Sequence, residues 1–280
     1  PKNQLVKIRD SIRGDVIFDT NELEDFIIRR SNGTPVFLVA NAVDDADMGI
    51  THVIRGEDLL NTTPKVILMW EALDYGQPPE YAHLPLLVGE DKKKLSKRKH
   101  SVALGEFRTM GILPESMVNY LSLLGWGPGD DKEIRPVEEI AALFSLEDIN
   151  KAPAYFDMKK LLHINAEYIR ALSHEAFTEI VTEYFQLIDW QPKNLDLHVL
   201  SELSWPIQER IEKFADIVNL VDWLFNDEPA TETDTKKIKK ISKSMSADKV
   251  TDVLDLAIDQ LGKCDWNEEV IGETINGIGQ

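Results

Sequence analysis

Two short stretches bring together residue types that do chemistry. One is VIRGED at 53–58, where Arg55 is followed by Glu57 and Asp58; the other is KLSKR at 94–98, inside the lysine-rich run EDKKKLSKRKHS at 90–101. An arginine guanidinium is a planar fork suited to a carboxylate. Acids beside it can accept hydrogen bonds from a ribose or an ammonium group. A loop with Lys94, Ser96 and Lys97 can hold a polyphosphate, because ammonium groups on mobile stems follow charge as it shifts onto a leaving pyrophosphate. Each stretch also has a plainer interpretation. A lysine run is usually a solvated loop face, Arg55 can pair with Asp44 or Asp45, and acids that follow a strand can simply complement a helix N-terminus.

The elements around these stretches are those of an open α/β sheet. PVFLVANAV is compatible with a buried strand or a helix, since periodicity does not separate the two at this length. ITHVI reads as a buried strand. After it, Thr62 or Thr63 can cap a helix with Pro64 at its first position, and Val66, Ile67, Met69, Trp70 and Leu73 share one helical face. YAHLPLLVG returns as a strand that ends at the lysine-rich loop, which is where α/β sheets place ligand sites. Upstream, VIF and DFIIRR read as strands.

Beyond the loop the pattern becomes helical. Met117, Val118, Leu121 and Leu124 mark a helix stopped by Gly125 and GPGDD, and from about residue 170 amphipathic helices dominate. The aromatics Trp205, Trp223 and Phe225 are expected in the core. The fold class is therefore α/β followed by all-α.

Composition limits what the chain can be. With 280 residues, two or three domains are expected. Forty-nine acidic residues against 31 basic ones give a net charge of −18, so a polyanion must dock on a local basic patch. Basic residues cluster at 92–99 and at Lys236, Lys237, Lys239, Lys240 and Lys243, the second set fitting a solvated helix face equally well. The single Cys264 excludes an internal disulfide and a cysteine zinc site. No apolar run reaches the roughly 18 residues of a membrane span, and a cytoplasmic protein without a membrane partner is expected.

In their order and spacing, GTPVFLVANAVDDADMGITHVIRGEDLLNTTPK, AHLPLLVGEDKKKLSKR, GILPESMVNYLSLLGW and PAYFDMKKLLHINAEYIR resemble glutamyl-tRNA synthetases of the bacterial type, a class I aminoacyl-tRNA synthetase family. The resemblance is dense from about residue 10 to 170. It implies a second half of a class I Rossmann-like catalytic domain, followed by a helical stem-contact and anticodon-binding region. KLSKR would be this family's KMSKS loop, closing over ATP during adenylate formation, with Lys97 on the phosphates and Lys94 and Ser96 shaping the loop. Arg55 would bind the side-chain carboxylate of glutamate, Asn41 would line the same pocket, Asp58 would lie near the ATP ribose or the substrate amine, and Leu86 and Leu87 would put main-chain groups against adenine. Phe37 stands where many relatives have tyrosine, so a hydroxyl contact to substrate would be missing.

The implied substrates are glutamate, ATP with Mg2+, and tRNA(Glu) or also tRNA(Gln), acted on by a monomer. The implied organisation is a tail of the acceptor-binding insertion over 1–33, the catalytic half over 34–100, a connecting domain over 101–170 and part of an anticodon-binding domain over 171–280. No HIGH-like tetrapeptide occurs. The chain is accordingly expected to be a piece of a longer enzyme, inactive by itself. A paralogue that modifies a tRNA base with glutamate and a noncatalytic tRNA-binding protein are the alternatives.

Overall fold

The computed structural model describes residues 2–89, 91–93, 95, 103–226 and 246–278, with the backbone alone at Ala247 and Glu268. Lys94, Ser96, Lys97 and the lysines of 236–243 lie outside the described residues. The chain divides into two compact units, Pro1–Gln191 with Asp196–Val218, and Pro192–Leu195 with Asn219–Gln280.

A four-stranded sheet organises the start of the first unit. Strand β1 (Leu5–Asp10) alternates exposed and buried positions, with Val6, Ile8 and Asp10 inward. It turns into the antiparallel β2 (Gly14–Asp19), which contains the expected VIF. Gly14 takes a positive φ of 81° at that turn, a conformation that costs glycine nothing. Strands β3 (His52–Gly56) and β4 (Glu80–Leu84) run parallel to each other, and β4 also bridges β1 in parallel, giving the order β2-β1-β4-β3. Thus the 5–19 hairpin shares one sheet with the strand that carries Arg55.

PVFLVANAV resolves as helix α1 (Phe37–Asp47). Leu38, Ala42 and Ala46 recur every four residues and pack on Val66 and Trp70 of α2 (Thr63–Ala72). Helix α2 emerges directly from a 3-10 turn, Glu57–Thr62, with Pro64 in its first turn. Thr62 does not cap it: its hydroxyl donates back to the Leu59 carbonyl at 2.6 Å. Of the expected apolar face, Leu73 lies past the last turn and is exposed, whereas Val66, Ile67 and Trp70 are buried.

Two strand expectations fail for identifiable reasons. Over DFIIRR the described backbone makes only the isolated bridge Arg29↔Pro35, because the chain folds back at Gly33, where Gly33 N–H donates to the Arg30 carbonyl and Arg30 N–H to that of Thr34. Ile27 and Ile28 are left exposed. YAHLPLLVG is interrupted at Pro85, which has no N–H for a ladder. Its second piece, β5 (Leu87–Val88), pairs instead with β6 (Ala154–Tyr155).

The helices α3 (Leu104–Met110), α4 (Pro114–Ser122), α5 (Val137–Leu143) and α6 (Met158–Arg170) follow. Phe107, Ile112, Met117, Tyr120, Leu161 and Ile164 form their core. Val118 and Leu121, expected on the buried face of α4, are exposed, while Leu124 packs against the core. Asn165 is fully buried and joins the Leu113 N–H and the Ser116 hydroxyl, at the start of α4, to the Glu212 carbonyl. Helices α7 (His174–Leu187), α8 (Leu197–Glu202), α9 (Ser204–Gln208) and α10 (Ala215–Phe225) continue the chain.

Trp205 and Trp223 do not take the core positions expected of them, being 64% and 71% exposed, whereas Phe225 is buried. In α9 it is Ser204, Ile207 and Gln208 that face inward, and the Trp223 indole N–H bonds its own helix at the Leu220 carbonyl, 2.6 Å away. In the second unit, helices Ala247–Leu261 and Glu268–Ile278 pack on one another. Leu254, Ile258 and Ile275 remain exposed there, since a two-helix seam covers only part of an apolar stripe. Among the described residues no helix is long and apolar enough to cross a membrane.

Candidate carboxylate and nucleotide site

Arg55 sits near the carboxyl end of β3, directly opposite His83 of β4. Its side chain is spread over four neighbours. Nε donates to His83 Nε2 at 3.2 Å, NH2 to Thr63 Oγ1 at 2.8 Å and to the Leu59 carbonyl at 3.5 Å, and NH1 to Asn41 Oδ1 at 3.5 Å. The guanidinium also lies over the Tyr81 ring, 5.6 Å from its centroid. Burial pulls the Arg55 pKa below its ordinary value, opposed by Tyr81, Asp45 and Asp58, and the group stays cationic at neutral pH.

Two predicted site residues come together here. Asn41 projects from α1 to Arg55 and donates from Nδ2 to Asp45 Oδ2 at 2.9 Å. Burial pushes the Asp45 carboxyl above its usual range, against the lowering effects of Arg55 and Asn41. Phe37 lies one turn before Asn41 on α1, 60% exposed. Asp58 is exposed in the 3-10 turn after β3, close enough to lift the Arg55 pKa.

Glu57 takes a different role from the ribose or ammonium acceptor that its place in the motif suggests. One of its oxygens pairs with Arg13 NH2 at 2.6 Å and the other accepts the Leu86 N–H at 3.2 Å. Leu86 and Leu87 are similarly engaged: the Leu86 carbonyl accepts from Ala154 N–H at 3.0 Å and the Leu87 carbonyl from Leu95 N–H at 2.9 Å. Each of these carbonyls still has a second lone pair to offer a base.

The motif residues give no hint of what lies behind Arg55. Asp10, at the end of β1, receives His83 Nδ1 at 2.6 Å, the His83 N–H at 3.1 Å, and the N–H groups of Ile12 and Arg13 at 3.0 and 2.7 Å. Burial raises the Asp10 pKa, but these donors outweigh it and hold the carboxyl below its ordinary value. His83 is pulled down by burial, against the Asp10 carboxylate. Asp10, His83 and Thr63 are all buried. The available signal in sequence is polar residues at inward positions of otherwise apolar strands, LVKIRD and YAHL.

The arrangement can receive an anion on the outer side of a half-buried arginine, beside the helix face of Asn41 and the strand end that precedes the lysine-rich run in sequence. A cavity of about 670 Å³ between α3, α4 and α7 is a different place. Its lining, including Leu104, Phe107, Met117 and Tyr184, is apolar apart from Arg108 and Glu183.

Residues 1–163 match the family model for tRNA synthetases class I (E and Q), catalytic domain, and residues 176–280 match the anticodon binding domain. A glutamate–tRNA ligase of Thermobifida fusca (strain YX) is 44% identical over 99% of the chain and 58% of that relative. One from Frankia alni is 42% identical over 100% of the chain and 59% of the relative, so the chain spans about three fifths of the length of these curated relatives. The crystal structure of a glutamate tRNA ligase from Elizabethkingia meningosepticum CCUG26117, in complex with its amino acid, superposes with a TM-score of 0.75 at 28% identity, covering 99% of this chain and 57% of that one. With more than half of its length matched to the catalytic domain, the chain belongs to the class I tRNA synthetase family of the E and Q type.

Proposed function

We propose that the complete protein carrying this chain ligates glutamate to tRNA(Glu) through a glutamyl-adenylate. The glutamate α-carboxylate attacks the α-phosphate of ATP, supplied as its Mg2+ complex, pyrophosphate leaves, and the glutamyl group passes to the terminal adenosine of the tRNA. Charging of tRNA(Gln) with glutamate is the neighbouring possibility within the same chemistry. The observation that carries the reading is the half-buried cation of Arg55 beside Asn41 at the end of β3, in a chain 44% identical to a glutamate–tRNA ligase.

In this reading Arg55 pairs with the substrate side-chain carboxylate, Asn41 lines the pocket, and Phe37 contributes a ring without a hydroxyl. Asp58 faces the ATP ribose or the substrate amine, and main-chain groups of Leu86 and Leu87 face adenine. Lys97 stabilises charge on the phosphates, with Lys94 and Ser96 shaping the loop; these three lie outside the described residues. Little covalent chemistry falls to the protein, and positioning with charge stabilisation lowers the barrier. The anticodon-domain match over 176–280 favours this reading over a paralogue that modifies a tRNA base. Residues 34–100 would serve as the second catalytic half, 101–170 as the stem contact and 171–280 as the anticodon-binding region, the whole acting as a cytoplasmic monomer.

The test is transfer of labelled glutamate to tRNA by the complete protein, with Lys97→Ala beside it. The variant should form adenylate roughly a hundredfold more slowly, the range for losing one charge-stabilising contact, while binding glutamate as before. Transfer of a different amino acid in preference to glutamate would refute the proposal.

A further inference from the structure

The Arg55 guanidinium has two edges that can grip a carboxylate, and one of them is already taken. The side-on edge, Nε with NH2, is spent on His83 Nε2 and Thr63 Oγ1, at 3.2 and 2.8 Å. What remains for a ligand is the outer end, where NH1 makes a 3.5 Å contact with Asn41 Oδ1 and NH2 a 3.5 Å contact with the Leu59 carbonyl, both long beside the side-on bonds. Which end is free is decided by His83, and the state of His83 is decided by Asp10.

The proton positions follow from the partners. An arginine Nε–H can only donate, so His83 Nε2 must accept, and the single imidazole proton must sit on Nδ1. There it is donated to Asp10 Oδ2 at 2.6 Å. Asp10 is in turn fixed by three backbone N–H groups, from Ile12, Arg13 and His83. The imidazole is further confined by stacking on Tyr81, whose ring centroid is 5.9 Å away with the planes 11° apart, and Arg13 Nε holds the His83 backbone carbonyl at 3.2 Å. A buried carboxylate, a neutral histidine of fixed tautomer and an arginine therefore form one line across β1, β4 and β3.

We propose that Asp10 and His83 are positioning residues that orient Arg55, so that it receives the substrate carboxylate through its outer NH1 and NH2 end and not through the side-on edge. This rests on the reading of Arg55 as the partner of the glutamate side chain. A misplaced guanidinium would leave the ligand carboxylate short of a donor in a half-buried pocket, which weakens glutamate binding specifically. The fully buried charged groups facing His83 are Asp10 from β1, with Arg13 from the following turn and Arg55 from β3 less deeply placed. A second proton on His83 would set a cation against both arginines, so the relay works only with the neutral ring.

The experiment measures KM for glutamate and for ATP, with kcat, in the complete protein and its variants His83→Ala, His83→Gln, Arg55→Ala and the double His83→Ala/Arg55→Ala. Glutamine keeps a carbonyl oxygen as acceptor near the place of Nε2. His83→Ala should raise the glutamate KM by roughly tenfold or more, as for losing a hydrogen bond to a charged group. The ATP KM and kcat should stay within about twofold, the signature of lost ground-state binding. His83→Gln should recover most of the loss, and the double variant should be no worse than Arg55→Ala alone, because the two act as one unit. Equal rises in both KM values, or additive losses in the double variant, would mean that His83 supports the fold and does not aim Arg55. A silent His83→Ala beside a strong Arg55→Ala sinks the relay and leaves the function standing, whereas a silent Arg55→Ala sinks the assigned role of Arg55. Nitrogen-15 NMR of histidine-labelled parent protein decides the relay without any variant: His83 should show a protonated Nδ1 and a bare Nε2 at neutral pH, and a proton on Nε2 overturns it.

Discussion

Arg13 and Glu57 form an ion pair of 2.6 Å in which both side chains are largely withdrawn from water, 16% and 23% exposed. Arg13 also donates to the carbonyls of His83 and Lys151, at 3.2 and 2.6 Å, and Glu57 receives the Leu86 N–H. One guanidinium thus fastens the first hairpin to the end of β4 and to the chain near β6. Arg13→Ala should destabilise the chain by about 3 kcal/mol, since it strands a partly buried carboxylate and two carbonyls. Glu57→Gln should cost about half of that, because the amide oxygen still accepts from Leu86. Urea denaturation gives the totals, and amide exchange at Leu86 should accelerate in Glu57→Ala but not in Glu57→Gln.

Acid should weaken the first unit in two steps. His83 has a folded pKa below its ordinary value, so the unfolded chain binds more protons and the contribution of His83 is complete above about pH 6.5 and lost as pH falls through the folded value. Asp10, also lowered, adds a second loss beginning near pH 4. Asp45 is raised, and its effect runs the other way. Tyr81, pushed up to about 12 by burial, does not titrate in this window. Urea midpoints between pH 7.5 and 4.5 should fall in the parent, and the decline that starts near 6.5 should vanish in His83→Gln; a flat profile in the parent would contradict the assigned burial of a neutral ring.

Gly111 ends α3 with φ of 78°. A Cβ placed there would stand 2.5 Å from Cβ and 2.7 Å from the backbone nitrogen of Phe214, and neither can swing away. Gly111→Ala should therefore cost about 3 kcal/mol or more, combining left-handed strain with a backbone clash. Gly105→Ala, with open space around it on α3, should stabilise by about 0.5 kcal/mol. Thermal melts of the two variants should move in opposite directions.

The Tyr81 hydroxyl is buried and has no hydrogen-bond partner among the described residues. Removing an orphaned polar atom relieves its desolvation cost, so Tyr81→Phe should raise stability by about 1 kcal/mol in the protein without ligand. A loss of stability would reveal a partner for that hydroxyl.

Much of the catalytic half was legible because its signals are local. Pro64 in the first turn of α2 follows from the missing N–H of proline and the strand at ITHVI from a β-branched run, both readable within a few residues. The meeting of Arg55 and Asn41 follows from a resemblance whose motifs are close in sequence. Asp10 and His83 are 73 positions apart, and no window of sequence contains both. DFIIRR misled because β-rich composition says nothing about whether a partner strand is in reach. Trp205 and Trp223 misled because a large ring can serve a helix by covering its flank, as the Trp223 indole does in bonding Leu220.

The two faces of the Arg55 pocket differ in how freely evolution can edit them. Asp10, His83 and Thr63 end a strand, sit inside a strand and start a helix, so each substitution there that altered recognition would also loosen the fold. Asn41 and Phe37 project from α1, and Phe37 is exposed, so both can change without opening the sheet. Drift toward a substrate of different side-chain charge should therefore begin on α1 and reach the strands only after stabilising changes elsewhere have accumulated. Phe37 lies on the permissive side.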